Sequence, residues 1–218
     1  VITVACVLRQ DGKVGYDATW VDKLQNAVKR HLTIPHRFVC LSDCAVECER
    51  IPLGSLGSGY WAKLQLFQAG LFDTPVLYLD LDTLICNNID ELVERCLEQD
   101  KFVMWRDPDY NISSSAIMFW SGDYSGIFNS YALNHTWYED RYSTANQGAE
   151  RLVGDQAVIS SMTEHVFIND LCPKNWIHIA SKRDAQLDLS ETRILIFRKP
   201  SSKPSNMPTH DLVKKHWL

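Results

Sequence analysis

Two aspartates, Asp80 and Asp82, stand one residue apart directly after the apolar run Val76-Leu77-Tyr78-Leu79. Such an unbroken run is the pattern of a strand buried on both faces. On an extended backbone, residues i and i+2 point to the same side, so the two carboxylates are expected to converge on one point. In open α/β sheets that end of a strand is where ligands bind. Paired hard oxygens suit Mg²⁺ or Mn²⁺, and such an ion bridges naturally to a diphosphate. The predicted chemistry is a metal–diphosphate site. A solvated surface turn fits less well, because Leu84 and Ile85 follow and like charges beside a buried strand need a counter-charge.

Two other classes compete for the same residues. A phosphatase of the haloacid dehalogenase type also places Asp-x-Asp after an apolar strand, using the first Asp as nucleophile and the second as acid. That type wants Thr or Val where Leu84 stands and an acid where Ile159 stands. Its motif also belongs near the N-terminus, not behind a complete strand–helix–strand unit. A non-catalytic sugar-nucleotide or glycan-binding module would use aromatic rings. The chain has seven Trp and eight Tyr, but rings at such spacing are more often core.

The elements that must carry the acids are legible on either side. Ile2 to Leu8 reads as a first strand, and residues 9–17 as a loop with Gly12 and Gly15. Asp17 is placed to cap a helix over about 19–32, with Trp20, Leu24, Ala27, Val28 and His31 on one face. Phe38 to Leu41 is a second strand and Val46 to Leu53 a third. Strand–helix–strand implies a right-handed parallel crossover, the start of a Rossmann-like half. The span Gly54 to Gly59 has three glycines and reads as a flexible loop, a weak candidate cradle for phosphate or substrate. Helices are expected over Tyr60–Gly70, Ile89–Gln99, 124–138 and 154–162. Further strands are expected over Phe102–Trp105, into Ala116–Trp120, and over Val166–Leu171 and Arg193–Phe197. Residues 139–150 read as loop and 199–209 as an extended tail.

Length and composition set the frame. The 218 residues fit one α/β domain, with 45% hydrophobic and 22% charged residues. Net charge is −5 with no basic stripe, so nucleic acid is not an expected partner. Apolar runs fall short of a transmembrane segment and no signal peptide is evident, so a soluble, cytoplasmic protein is expected. The seven cysteines are then expected as reduced thiols. Cys40, Cys44 and Cys48 lack a zinc-ligand spacing, and Cys40 sits in an apolar run as a small hydrophobe. Asn111 and Asn134 begin glycosylation sequons, read as chance without a secretory signal. Oligomeric state is open.

Taken in order, these residues resemble a small GT-A-fold, nucleotide-sugar-dependent glycosyltransferase related to glycosyltransferase family 8. The resemblance rests on the strand–helix–strand start, Trp61-Ala-Lys63-Leu-Gln-Leu-Phe67 and Leu77-Tyr-Leu-Asp80-Leu-Asp82-Thr-Leu-Ile85. It continues through Asn111-Ile-Ser-Ser-Ser-Ala-Ile-Met-Phe119, Gly154-Asp155-Gln156-Ala-Val158 and the Lys/Pro-rich tail ending His216-Trp217. It implies a single GT-A domain over 1–218: an α/β fold with a Rossmann-like, mixed, mostly parallel sheet flanked by helices. Residues 1–105 would form the nucleotide-binding half, and 106–218 the acceptor and sugar half with the C-terminal tail.

The resemblance also implies roles. Asp80 and Asp82, with Leu81 between them, would hold Mn²⁺ (or Mg²⁺) against the diphosphate of a nucleotide diphosphate sugar donor, of the UDP kind. Arg9 and Tyr16 would hold the base, and Lys63 would lie near the phosphates or donor. Asn111, Ser113, Ser114 and Ser115 would line the sugar pocket. Asp155 and Gln156 would face the anomeric carbon, with a glycan hydroxyl as acceptor. Asp155 has a competing reading as a plain helix cap, the commoner use of Gly-Asp before a helix. One departure stands out. The family carries a third metal ligand, a His, in a C-terminal His-x-x-Gly-x-x-Lys-Pro stretch, and Ile196-Phe-Arg198-Lys199-Pro200-Ser-Ser-Lys203-Pro204 has neither that His nor the Gly. Either His210 (or His216) supplies the ligand, or the metal has only two side-chain ligands. Arg198, Lys199 and Lys203 are candidates to bind the diphosphate instead.

Overall fold

The computed structural model describes residues 1–10, 15–143, 152–180, 189–197, 203–207 and 210–217. Arg198 and Lys199 lie outside them, as does most of the tail stretch 199–209.

β1 (Ile2–Leu8) is buried almost throughout, and α1 (Ala18–His31) follows it. Asp17 caps α1 as expected, its Oδ1 accepting the Thr19 N–H at 3.0 Å. The buried face is Val21, Leu24, Ala27 and Val28, so Val21 takes the place expected for Trp20. β2 (His36–Ser42) and β3 (Glu49–Pro52) come next. β1 pairs parallel with β2, and β2 parallel with β3.

Gly59–Phe67 is a 3-10 helix, shorter and tighter than the α-helix expected over 60–70. Every residue from Trp61 to Phe67 is buried, so packing rather than helix propensity sets its form. β4 (Val76–Leu79), β5 (Leu84–Ile85) and α2 (Asp90–Leu97) follow. β6 (Phe102–Asp107) and β7 (Ile112–Trp120) form a hairpin. The helix expected over 124–138 is two helices, α3 (Ser125–Leu133) and α4 (His135–Arg141). They break at Asn134, whose φ of −139° and ψ of 38° are not helical. α4 therefore enters the stretch expected as loop.

α5 (Gly154–Met162) is found where expected. The strand expected over Val166–Leu171 is only β8 (His165–Phe167), and α6 (Ile168–Leu171) follows at once. Asn169 explains the turn away from the sheet. Its side chain accepts the Arg106 N–H at 2.8 Å and donates to the Arg106 carbonyl at 3.1 Å, replacing the next strand pairing. β9 (Ile177–Ile179), β10 (Ile194–Ile196) and α7 (Asp211–His216) complete the chain; β9 and α7 have no sequence expectation.

The large sheet has the order β3-β2-β1-β4-β7-β6-β8. β3 to β4 run parallel, while β7 is antiparallel to both β4 and β6. One face packs on α1, α2 and α6 through residues such as Leu24, Val93 and Ile168. The other packs on the 3-10 helix, α3 and α5 through Leu64, Tyr131, Val158 and Ile159. A small sheet, β5-β10-β9, has its own cluster of Leu84, Cys86, Leu195, Phe197 and Val213 under α7. No helix among the described residues is long and apolar enough to cross a membrane.

Candidate active site

β1 has β2 on one side and β4 on the other, so the chain order reverses between β1 and β4. That makes their C-terminal ends a switch point, the place where open α/β sheets bind ligands. Asp80 lies at this end of β4.

The two aspartates are not on extended backbone. The Thr83 N–H donates to the Asp80 carbonyl at 2.9 Å, so Asp80 to Thr83 form a turn. This corrects the alternation argument. Leu81, between the acids, is buried in the main core. The two carboxylates also have separate partners.

Asp80 belongs to a buried network. Lys63 Nζ, on the 3-10 helix, is 2.9 Å from Asp80 Oδ1 and 3.1 Å from Asp155 Oδ2. It also donates to Ser115 Oγ at 2.9 Å, and Ser115 Oγ in turn donates to Asp155 Oδ2 at 2.6 Å. Tyr78 donates its hydroxyl to Asp80 Oδ1 at 2.7 Å. Burial alone would lower the Lys63 pKa, but Asp155 and then Asp80 outweigh it and hold the ammonium above the lysine range. Burial first, and then Asp80, raise Tyr78 well above the phenol range.

A bulge puts Ser115 there. Met104 pairs with Met118, but Trp105 pairs with Ser114, so the register of β6 on β7 shifts across Ser115 to Ile117. Such irregularities re-aim a side chain. Asp155 is in the first turn of α5 but makes no capping bond. Its carboxylate is turned inward to Lys63, so the helix-cap reading is not met.

Asp82 faces the other way. Lys203 pairs with its Oδ2, and the Lys203 ammonium lies 5.6 Å from the centre of the Tyr16 ring. Burial raises the Asp82 pKa, the Lys203 charge opposes this, and Asp80 adds to the rise. Tyr16 is raised beyond the phenol range by burial first and then by Asp82 and Asp80. Two carboxylates flank one turn, and each is already paired with an ammonium, Asp80 with Lys63 and Asp82 with Lys203; their oxygens are of the hard kind that a divalent ion takes. Among the described residues no group of three or more His, Cys, Asp or Glu gathers as a metal site. His210 stands just before α7, its N–H donating to the Met207 carbonyl at 3.1 Å.

These folded features resemble known structures. No family profile and no curated protein sequence matches the chain. Solved structures do. The glycosyltransferase GlyE of Streptococcus pneumoniae TIGR4 superposes with a TM-score of 0.64 at 13% identity, over 99% of this chain and 60% of GlyE. The chain thus spans about 60% of GlyE's length. The galactosyltransferase LgtC, in complex with donor and acceptor sugar analogues, gives 0.53 at 13% identity, over 98% of this chain and 96% of LgtC. The WbbM bifunctional glycosyltransferase gives 0.61 at 11% identity, over 100% of this chain and 49% of WbbM.

The fold is GT-A-like. In this GT-A-like frame the remaining predicted residues occupy two places. Arg9 follows β1, where its Nη2 donates to the Gly54 and Leu56 carbonyls at 2.7 and 3.2 Å. Gln65 joins it, accepting the Gly54 N–H at 2.7 Å and donating to Leu56 O at 2.6 Å. The glycine loop is therefore clamped at its start. Asn111 and Ser113 line an open groove of about 450 Å³ with Arg106, Ile112, Leu152 and Phe167. Ser113 Oγ is 3.1 Å from His165 Nε2 and accepts from Ser160 Oγ at 3.0 Å. Ser114 accepts the Ala116 N–H at 3.3 Å. Gln156 is half-buried beside Asp155. Sequence reasoning missed Tyr78, although its position two residues before Asp80 was the signal. It gave no role to Gln65, whose partners come from a loop.

Proposed function

We propose that this chain is a metal-dependent glycosyltransferase that moves a sugar from a nucleotide diphosphate sugar, of the UDP kind, to a glycan hydroxyl. The reading is carried by Lys63, whose single ammonium ties the Asp-x-Asp turn to Asp155 at the switch point. The GT-A-like fold, shared with GlyE and with an LgtC that holds donor and acceptor analogues, supports it.

Asp80 and Asp82 are the residues to hold Mn²⁺ or Mg²⁺. When bound, that ion supplies positive charge to the leaving diphosphate. Lys203 is already at the turn, and release of Asp82 would leave its ammonium beside the diphosphate. Asp155 binds Lys63 and Ser115 through Oδ2, which leaves Oδ1 to orient the reacting sugar. The buried network holds that carboxylate in place before substrate arrives, so little reorganisation accompanies the reaction. The groove beside Asn111 and Ser113 receives the sugar hydroxyls.

The deciding experiment is calorimetric binding of UDP, GDP and a panel of their sugars, with and without Mn²⁺. Manganese-dependent binding of one nucleotide class supports the proposal and names the donor. A folded protein that binds none of them overturns it. Hydrolysis of p-nitrophenyl phosphate without nucleotide-sugar turnover would favour the phosphatase class.

A further inference from the structure

Tyr60 opens the 3-10 helix that carries Lys63, and it is 52% exposed. Single exposed aromatics are common, but this one has a built seat. Its ring lies against the backbone of Gly154, where a Cβ would meet Tyr60 Cε2 at 2.5 Å and Cδ2 at 2.9 Å. Gly154 also has φ +71°, so glycine alone both adopts the backbone and leaves room for the ring. The Tyr60 ring also neighbours Trp61, tilted to it at 44° with centroids 5.4 Å apart, and Trp61 stacks on Tyr131 at 5.8 Å. The ring is held by these contacts while about half of the residue stays exposed, next to Gly154, the residue that precedes Asp155.

The charges around the ring narrow what it takes. Burial first, and then the carboxylates of Asp155 and Glu139, hold the Tyr60 phenol above its usual range. Glu139 is itself held by the Tyr131 hydroxyl at 2.5 Å. Of the cations nearby, Lys63 is spent on Asp80, Asp155 and Ser115, and Arg9 on Asp43 and the Gly54 and Leu56 carbonyls. A ring bordered by carboxylates disfavours phosphates and acids. It suits a neutral polyol, whose C–H face packs on the ring while its hydroxyls donate to the carboxylates.

We propose that Tyr60 is the stacking platform of an acceptor subsite, taking the apolar face of a neutral pyranose so that one of its hydroxyls is directed toward Asp155. This inference rests on the glycosyltransferase reading for its role, though the stacking contact is testable without it.

The test uses the full chain and methyl glycosides of glucose, galactose, mannose and N-acetylglucosamine. Their binding is followed by saturation-transfer NMR with and without UDP and Mn²⁺, and UDP affinity is followed by calorimetry. At least one glycoside is expected to bind. Its Kd rises about tenfold in Tyr60→Ala, the upper range for an aromatic contact. Tyr60→Phe and Tyr60→Trp stay close to the parent, and UDP affinity is the same in all. The proposal is overturned if no glycoside binds the parent or if Tyr60→Ala binds it equally well. It is also overturned if UDP affinity falls in step, because the ring then only supports the Gly154 turn. A parent that binds a glycoside through Tyr60 but no nucleotide with any metal keeps the platform and removes the transferase reading.

Discussion

Asp80 and Asp155 share one ammonium group, that of Lys63, at 2.9 and 3.1 Å. One acid ends a strand of the large sheet and the other begins a helix packed on it. Their separation is therefore set by a third element, the 3-10 helix. Tyr78 adds a hydroxyl to Asp80, and Ser115 adds one to Asp155.

Removing Lys63 leaves two uncompensated carboxylates, one of them buried. Lys63→Met is expected to destabilise the fold by about 3–5 kcal/mol in urea denaturation, the usual cost of breaking a buried ion pair. Adding Asp155→Asn to Lys63→Met should recover part of that loss. A single Lys63→Met variant as stable as the parent would show that the network contributes nothing to the fold.

Asp80→Asn and Asp82→Asn test the turn as a metal site. Either variant is expected to lose glycosyl transfer and manganese-dependent nucleotide binding while keeping the circular dichroism spectrum of the parent. Full turnover in either variant would sink the assignment.

Lys203 and a metal ion compete for Asp82. With nucleotide absent, Lys203→Ala should bind Mn²⁺ several-fold more tightly, because the carboxylate no longer has an internal cation to displace. The same variant should hold UDP less well, having lost a charge beside the diphosphate. Titration of Mn²⁺ by electron paramagnetic resonance, then of UDP by calorimetry, separates the two effects. Unchanged Mn²⁺ affinity would contradict the competition.

The C-terminal helix should release in acid. His216 is lowered to about 4 by burial first and then by the charges of Lys215, His31 and Arg30. His31, whose ring centroid is 5.5 Å from that of His216, is lowered by burial, Arg30 and Lys215. A histidine whose folded pKa is depressed adds stability above its ordinary pKa, and that stability is lost as pH falls toward the folded value. α7 docking should thus weaken between pH 6.5 and about 4. Imidazole NMR titration of His216 gives the midpoint, and His216→Leu should keep α7 docked lower in the range. An ordinary midpoint for His216 would count against this account.

Much of the frame was readable along the chain because its causes are local. The apolar run at Ile2–Leu8, the Asp17 cap and the Val76–Leu79 run each predict an element from neighbouring residues alone. The site was readable as residue types but less so as geometry. Alternation predicted one shared face for Asp80 and Asp82, and a tight turn gave them separate partners. For Asp155 the helix-cap reading stayed open beside the functional one, because its partner, Lys63, is distant in sequence. The bulge at Ser115 arises from a mismatch between two paired strands, which neither strand shows by itself. Asn169 ends β8 through a long-range amide contact to Arg106, again outside the reach of local pattern.

The Asp80–Thr83 turn joins β4 of the large sheet to β5 of the small one, and β5 pairs antiparallel with β10 near the C-terminal segment. The two acids thus straddle a seam between two separately hydrogen-bonded bodies. Ile85, Ile194 and Ile196 of the small sheet are packed into the core of the large one, so the seating of one sheet on the other fixes where the strap runs. The proposed cation grip would then depend on the C-terminal segment as well, because Lys203 of that segment already holds Asp82 at this four-residue strap.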